Sequence, residues 1–163
     1  MGNRAVVTFA PKSEVEKYYD EEKGGINVKG FTKEHPNLVG VYLHWNGGND
    51  SVVPFCKACK KIGFRCPTED FSYGVARFVQ LVANFFGGCN STSIGVDIID
   101  HLDCDNWDNG IFIIGEDWEV VGREFAHGDD KLDDESVARF VKYLVDIQMG
   151  VDDVKEELNK KGE

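Results

Sequence analysis

Short runs of β-branched and other apolar residues recur along this chain. The first run ends at Pro11, and each later run ends at a glycine, asparagine or aspartate. Runs of this length are typical of buried strands, because helices instead show apolar residues three and four positions apart. Glycine, asparagine and aspartate close the runs because they adopt the backbone angles that turns need. The predicted strands are Arg4–Ala10, Leu38–Trp45, Ile94–Ile99, Ile111–Ile114 and Val120–Val121.

Three other stretches have apolar residues at helical spacing. They predict helices over residues 51–61, Tyr73–Phe86 and Ser136–Met149. Aspartate or serine precedes the first two helices as a cap, and Gly63, Gly87 and Gly150 follow the three apolar patterns where helices commonly end.

The order of these elements predicts an α+β fold. We expect a single domain over residues 1–150, with a mainly antiparallel sheet of about five strands packed by three helices. The last three strands are expected to form a meander with a hairpin turn at Gly115-Glu116-Asp117. Residues 11–25 suggest a short helix and residues 26–37 a loop or small hairpin. Residues 151–163 predict a polar helical tail.

Charge is divided unevenly along the 163 residues. Residues 1–96 carry 11 basic and 9 acidic residues, whereas residues 97–163 carry 7 basic and 20 acidic residues. An acidic surface repels nucleic acids and membranes and attracts basic proteins. We therefore expect no direct nucleic-acid or membrane binding. Because much of the acidity falls in turns and on outer helix faces, a solvated surface also explains it.

The chain shows no apolar stretch long enough to cross a membrane and no secretion signal, so we expect the cytoplasm of a host cell. Its five cysteines are then expected to be reduced thiols. Cys56, Cys59 and Cys66, with His44 or His101 as a fourth ligand, form a candidate zinc site. The helical placement of Cys56 and Cys59 favours buried thiols instead, and we assign no metal or cofactor.

The acid-rich segment from Asp97 to Gly110 does not match a calcium loop, since Trp107 and Ile114 occupy ligand positions. A hydrolase is a further alternative, and it is less favoured because the chain has no nucleophile elbow, phosphate loop or dinucleotide fingerprint. We assign no catalytic residue. The side chains considered for such a hydrolase are His44, His101, Asp97, Asp100, Ser91, Thr92 and Ser93.

A more specific pattern combines aromatic residues, a glycine turn and arginines. A strand leads into a glycine-rich turn that opens a helix, which offers backbone N–H groups to an anion beside an aromatic ring. Arginines in the next helical region can bind phosphate. Taken together, the pattern predicts one ligand pocket, although each residue alone is also typical of a core or surface position. Its residues are His44, Trp45, Asn46, Gly47, Gly48, Arg65, Tyr73, Arg77 and Trp107.

Four segments resemble small accessory proteins encoded by phages and prophages of Gram-positive bacteria: residues 43–48, 73–77, 84–88 and 102–106. The resemblance covers roughly residues 4–125. That group has no assigned activity, so it implies no catalytic residue. It implies a context, because small accessory phage proteins often counter host defence. Some are acidic proteins that occupy the nucleic-acid groove of a nuclease, and others sequester nucleotide immune signals.

The leading hypothesis is therefore a non-catalytic anti-defence protein that holds a nucleotide-derived signal in the aromatic and basic pocket. The first alternative is an acidic mimic of nucleic acid that inhibits a host nuclease, and the second is the hydrolase of a phosphorylated signal. A homo-oligomer formed through the helix Ser136–Met149 is also considered.

Overall fold

One sheet contains five strands, which are β1 (Ala5–Phe9), β4 (Val39–Leu43), β5 (Ile94–Ile98), β6 (Ile111–Ile114) and β7 (Val120–Arg123). Their spatial order is β5-β4-β1-β6-β7. The computed structural model describes residues 2–88, 93–125 and 131–161, with the backbone alone described for residues 151–157. Strand β1 lies at the centre, antiparallel to β4 and parallel to β6, and the outer pairs β4–β5 and β6–β7 are antiparallel.

The central strands send alternate side chains to opposite faces of the sheet, as β-geometry requires. In β1, Val7 and Phe9 enter the larger core, and Val6 enters the smaller core on the other face. Both faces are covered, so all five residues of β1 are buried. This two-sided burial explains why the run reads as continuously apolar rather than alternating.

Three long helices cover the first face. They are α3 (Asn49–Ile62), α4 (Phe71–Phe86) and α5 (Asp134–Lys161). Helix α3 ends at Gly63, whose φ of 89° supplies the left-handed cap. Helix α4 begins at Asp70, whose carboxylate accepts a hydrogen bond from the Tyr73 N–H.

Two short helices, α1 (Lys12–Val15) and α2 (Val28–Glu34), follow β1 in the chain, and a small hairpin of β2 (Tyr19–Asp20) and β3 (Gly25–Ile26) joins them. The buried side chains of Val15, Val28 and Phe31 close the smaller core on the second face.

The α+β class, the mainly antiparallel five-stranded sheet and the packing by helices are confirmed. Three local predictions are wrong, and they concern the meander, residues 28–34 and the end of the last helix at Gly150. The last three strands do not form a meander, because β5 pairs with β4 at the far edge while β6 pairs with β1. Residues 28–34 form a helix rather than a loop, since Asn27 caps it by accepting the Gly30 N–H at 3.0 Å.

Helix α5 continues through Gly150 to Lys161, so this glycine does not end it. A single glycine costs a helix only about 1 kcal/mol relative to alanine, which the flanking turns tolerate. Within the described part of the chain, no helix is long and apolar enough to cross a membrane.

The turn between β6 and β7 places two residues in left-handed backbone conformations, Asp117 at φ 55° and Trp118 at φ 60°. The Trp118 ring is buried against Phe78, and its indole N–H donates to the Phe64 carbonyl at 2.8 Å. Burial of this indole offsets the backbone strain of the turn.

We expect Trp118→Phe to lower the free energy of unfolding by about 1–2 kcal/mol, because the Phe64 carbonyl loses its indole donor. Urea unfolding followed by circular dichroism measures the change. The exposed Tyr143 provides the control, and Tyr143→Phe is expected to change stability by less than about 0.5 kcal/mol. Equal values for the two variants would show that the indole hydrogen bond does not stabilise the turn.

Candidate functional site

Trp45 and Trp107, the two tryptophans of the predicted pocket, lie at one end of the sheet. At this end β4 ends and β1 and β6 begin. We call this the tryptophan end and define it by Asn3, Arg4 and the turns 44–47 and 106–110. The Asn3 N–H donates to the His44 carbonyl at 3.0 Å, and the Gly47 N–H donates to the Asn3 carbonyl at 2.7 Å. On the other side, the Asn109 N–H donates to the Arg4 carbonyl at 3.1 Å. The two turns therefore bracket the start of β1.

Gly47 lies where no side chain fits. A Cβ atom added there would lie 2.6 Å from the Asn3 carbonyl oxygen and 2.7 Å from the Ala5 Cβ. This close approach of two backbones explains the glycine without any ligand. The next residue, Gly48, precedes α3, whose first turn already contains the acidic side chain of Asp50. That carboxylate opposes an anion at the helix N-terminus.

Arg4 forms the central ion pair of the tryptophan end. Its Nε donates to Asp108 Oδ2 at 2.8 Å, its backbone N–H donates to the same oxygen at 3.0 Å, and its Nη1 lies 3.6 Å from Asp103 Oδ2. The hydrogen bonds from Arg4 lower the pKa of the Asp108 carboxyl. Because Arg4 is already paired with two carboxylates, it contributes no free positive charge for an anionic ligand.

The loop before β6 is built around the buried side chain of Asn106. Its amide nitrogen donates to the carbonyls of Asp103 and Gly110 at 3.1 and 3.3 Å, and its amide oxygen accepts the N–H groups of Asp108 and Gly110 at 3.1 and 3.0 Å. All four hydrogen-bonding positions of the amide are therefore used. A loop held in this way is fixed relative to the sheet.

Trp107 projects from this fixed loop with 91% of its surface exposed and with a φ of 62°. Left-handed backbone costs about 1–2 kcal/mol for a residue other than glycine. A tryptophan that is this exposed and also has a left-handed backbone is uncommon, which makes Trp107 a candidate recognition residue. The surrounding segment is acidic, with Asp100, Asp103, Asp105 and Asp108 in nine residues.

The β4 end of this surface carries His44 and Trp45. His44 Nδ1 and the Tyr42 hydroxyl form a hydrogen bond of 3.0 Å, and the His44 and Trp45 rings meet edge to face at 4.9 Å. Trp45 is 39% exposed. Asn46 has a φ of 56°, and its amide donates to the Ser51 hydroxyl at 3.1 Å. The Asn46–Ser51 hydrogen bond therefore holds the turn against the first turn of α3, so this amide N–H is not available to a ligand.

Arg65, Tyr73 and Arg77 form a separate group, which we call the arginine cluster. The Arg65 and Arg77 guanidinium carbons lie 4.4 and 4.5 Å from the centre of the Tyr73 ring. Arg65 also pairs with Asp70 at 3.1 Å. These residues follow the C-terminal end of α3, whereas the tryptophan end adjoins its start. A helix of 14 residues is about 21 Å long.

The prediction of one pocket from nine residues therefore needs correction. The structure brings together His44, Trp45, Asn46, Gly47, Gly48 and Trp107 at the tryptophan end, and it places Arg65, Tyr73 and Arg77 at the other end of α3. We predicted a single pocket because the arginines follow the glycine turn in the next helical region of the chain. The intervening helix carries them away.

A groove of about 480 Å³ lies beside the Trp107 loop, between α2 and residues 99–105. Its wall includes Lys29, which bridges Asp105 at 2.7 Å and the nearly buried Glu124 at 3.3 Å. The pKa of Glu124 is raised because burial removes its carboxylate from water. Sequence reasoning missed Arg4 and Lys29 because their partners are distant in the chain. It missed Asn106 because its partners are local and an asparagine in a turn is common.

Cys56, Cys59 and Cys66 are buried, as the helical placement of the first two indicated. Cys56 and Cys59 lie on the buried side of α3, where burial raises the pKa of each thiol. The Cys66 sulfur is 2.9 Å from the Thr68 hydroxyl. Among the described residues, no group of three or more histidine, cysteine or acidic side chains is arranged to hold a metal ion.

The residues of the hydrolase hypothesis fall into two groups at the two ends of β5. At its start the His44 N–H donates to the Ser93 carbonyl at 3.1 Å, and at its other end lie Asp97, Asp100 and His101. His101 Nδ1 pairs with Asp97 at 3.2 Å, and both side chains are exposed. Asp97 is the fourth residue of β5 and His101 follows that strand, so the pair lies near Val39 at the start of β4, whereas His44 follows the other end of β4. Ser91 and Thr92 lie outside the described residues. The two histidines therefore do not share a site.

Comparison with known proteins adds no relative. No family model, no curated protein and no solved structure matches this chain.

We expect Asn106→Ala to lower the free energy of unfolding by about 2–4 kcal/mol, because several buried backbone groups lose their partner. Urea denaturation provides the measurement. The exposed Asn37 provides a matched control, and Asn37→Ala is expected to stay within about 0.5 kcal/mol of the unchanged protein. A similar small effect at position 106 would contradict the account of the loop.

We expect Trp107→Gly to raise the free energy of unfolding by about 1 kcal/mol, since glycine adopts a φ of 62° without strain. Little burial is lost with the exposed ring. Trp107→Ala keeps the strained backbone and is expected to leave stability within about 0.5 kcal/mol. Indistinguishable melting temperatures for the glycine and alanine variants would show that the position carries no strain.

Proposed function

We propose that this protein is a non-catalytic binding protein that docks its tryptophan end on a basic surface of a partner protein. The observation that carries the proposal is Trp107, an exposed ring on a loop fixed by the buried Asn106 amide. A rigid tryptophan provides a large contact area with little loss of conformational entropy on binding. Tryptophan is also among the residues that most often dominate binding energy at interfaces.

The charge around Trp107 indicates the sign of the charge on the partner's surface. Arg4 is paired with Asp108 and Asp103, and Lys29 is paired with Asp105 and Glu124. Asp100 lines the adjacent groove and forms no ion pair among the described residues. The local field is therefore negative, which attracts basic side chains and repels phosphate. A tryptophan face also attracts arginine and lysine.

These contributions differ in size. An exposed charge pair contributes about 0.2–1 kcal/mol, whereas a central tryptophan contributes about 2 kcal/mol or more. We therefore assign affinity to Trp107 and assign orientation and rapid association to the aspartates. The resemblance to phage accessory proteins leads us to expect the partner among host defence proteins, such as a nuclease with a basic nucleic-acid groove.

A nucleotide-derived ligand remains the second candidate, and it relies on the arginine cluster. Arg65 and Arg77 both contact Tyr73, and guanidinium groups bind phosphate with two parallel hydrogen bonds. Asp70 competes for Arg65 at this site. The tryptophan end gives this candidate no support, because Arg4 is already paired with carboxylates there, as Lys29 is in the adjacent groove.

The proposal is tested by capturing proteins from a Gram-positive host lysate on the immobilised chain. We expect a basic protein that is retained in about 0.1 M salt and released in about 1 M salt. The reason is that the Debye screening length falls from about 10 Å to about 3 Å between these conditions. Trp107→Ala should weaken this binding about thirtyfold or more, as 2 kcal/mol implies. Tyr143→Ala, which removes an exposed ring from α5, should leave it unchanged.

Thermal melting with a panel of cyclic nucleotides and ADP-ribose derivatives separates the two candidates. Docking through the tryptophan end predicts no change in melting temperature. A stabilisation that Arg77→Ala removes would support nucleotide binding. If Trp107→Ala retains the basic partner as well as the unchanged protein does, docking through Trp107 is wrong.

A further inference from the structure

A second groove, of about 390 Å³, lies between α3 and the turn that joins β6 to β7. Half-buried Val53 and Val120 and the buried Trp118 provide its apolar surface. The indole is held in place by its hydrogen bond to the Phe64 carbonyl at 2.8 Å. This volume lies at the lower end of the range for small-molecule sites, about 300–1,000 Å³, and suits one small ligand.

One wall of the groove is cationic. Lys57 and Lys60 lie three residues apart on α3, on the same helix side as Val53. Neither lysine forms an ion pair or a side-chain hydrogen bond with any described residue. The chain has 29 acidic residues against 18 basic ones, so two neighbouring lysines without carboxylate partners are notable.

The facing wall is anionic. Asp117 and Glu119 flank Trp118 in the turn, and both side chains are exposed. Within residues 2–88, 93–125 and 131–161, neither carboxylate pairs with a lysine or arginine. The backbone of this turn is fixed by the Gly115 N–H, which donates to the Glu119 carbonyl at 2.8 Å.

We infer that this groove binds a free α-amino acid with a large apolar side chain. The ligand ammonium lies against Asp117 and Glu119, and the ligand carboxylate lies against Lys57 and Lys60. The apolar side chain covers Val53 and Val120 beside the Trp118 indole. An α-amino acid fits because it carries both charges close together and an apolar group beside them, and each part meets a complementary wall.

The site is independent of the docking function proposed above. Trp107 precedes β6, whereas Asp117 and Glu119 follow it, so the two surfaces occupy opposite ends of that strand. An amino acid at this groove touches none of the residues that define the tryptophan end. Failure of either proposal therefore leaves the other intact.

Isothermal titration calorimetry with phenylalanine, phenylpropionate and phenethylamine tests the inference. Phenylpropionate lacks the ammonium and phenethylamine lacks the carboxylate, so each is expected to bind about tenfold more weakly than phenylalanine or worse. Glycine, which lacks the apolar group, should also bind more weakly. Equal affinities for the three aromatic compounds, or no saturable binding of phenylalanine at millimolar concentration, would overturn the inference.

Charge variants locate the binding. The double variant Lys57→Gln with Lys60→Gln should weaken phenylalanine binding about tenfold or more, and it should not weaken the binding of the cation phenethylamine, because two like charges are removed. Lys61→Gln is the matched control, since Lys61 lies on the same helix and outside the groove. Phenylalanine affinity that falls equally in the control and the double variant would place the ligand elsewhere and contradict the site.

Discussion

The parallel pairing of β1 with β6 is the constraint on which the tryptophan end depends. Parallel strands begin at the same end of a sheet, so the start of β1 meets the start of β6 although 104 residues separate Arg4 from Asp108. That meeting creates the Arg4–Asp108 ion pair and brings Asn3 against Asn109. The turn after β4 joins them because β4 runs antiparallel to β1 and ends there.

Within this frame, one buried amide fixes the loop that presents Trp107. Asn106 satisfies four backbone groups, and the loop then tolerates a left-handed backbone at the next residue. The energy of the buried network offsets the strain at Trp107, which gains little from burial itself. A strained, exposed tryptophan on a rigid support suits recognition of another molecule, and the aspartates around it select a basic one.

The sequence predicted the fold class because its local signals agree with its tertiary structure. Asp70, Gly63 and the β-branched strands each favour the element that forms. The order of strands escaped prediction, because nothing local to Ile94–Ile98 indicates that it pairs with β4 rather than β6. Pairing between distant strands depends on packing of whole faces.

The site was predicted only in part, for a similar reason. Trp45 and Trp107 are recognisable as aromatic residues beside turns, and the structure brings them to one end of the sheet. Asn106 looks like any turn asparagine until its four hydrogen bonds are seen. Arg65 and Arg77 were misplaced because α3 carries them away from the turn that precedes it.

The central claim is that the Trp107 loop is rigid before any partner binds. Backbone nitrogen-15 relaxation of the free protein measures this directly over residues 103–110. We expect order parameters of about 0.85 for these residues, equal to those of β1 and β6. Values below about 0.6 at Trp107 and its neighbours would contradict it, because a flexible loop would carry neither the strain nor the fixed ring on which the account depends.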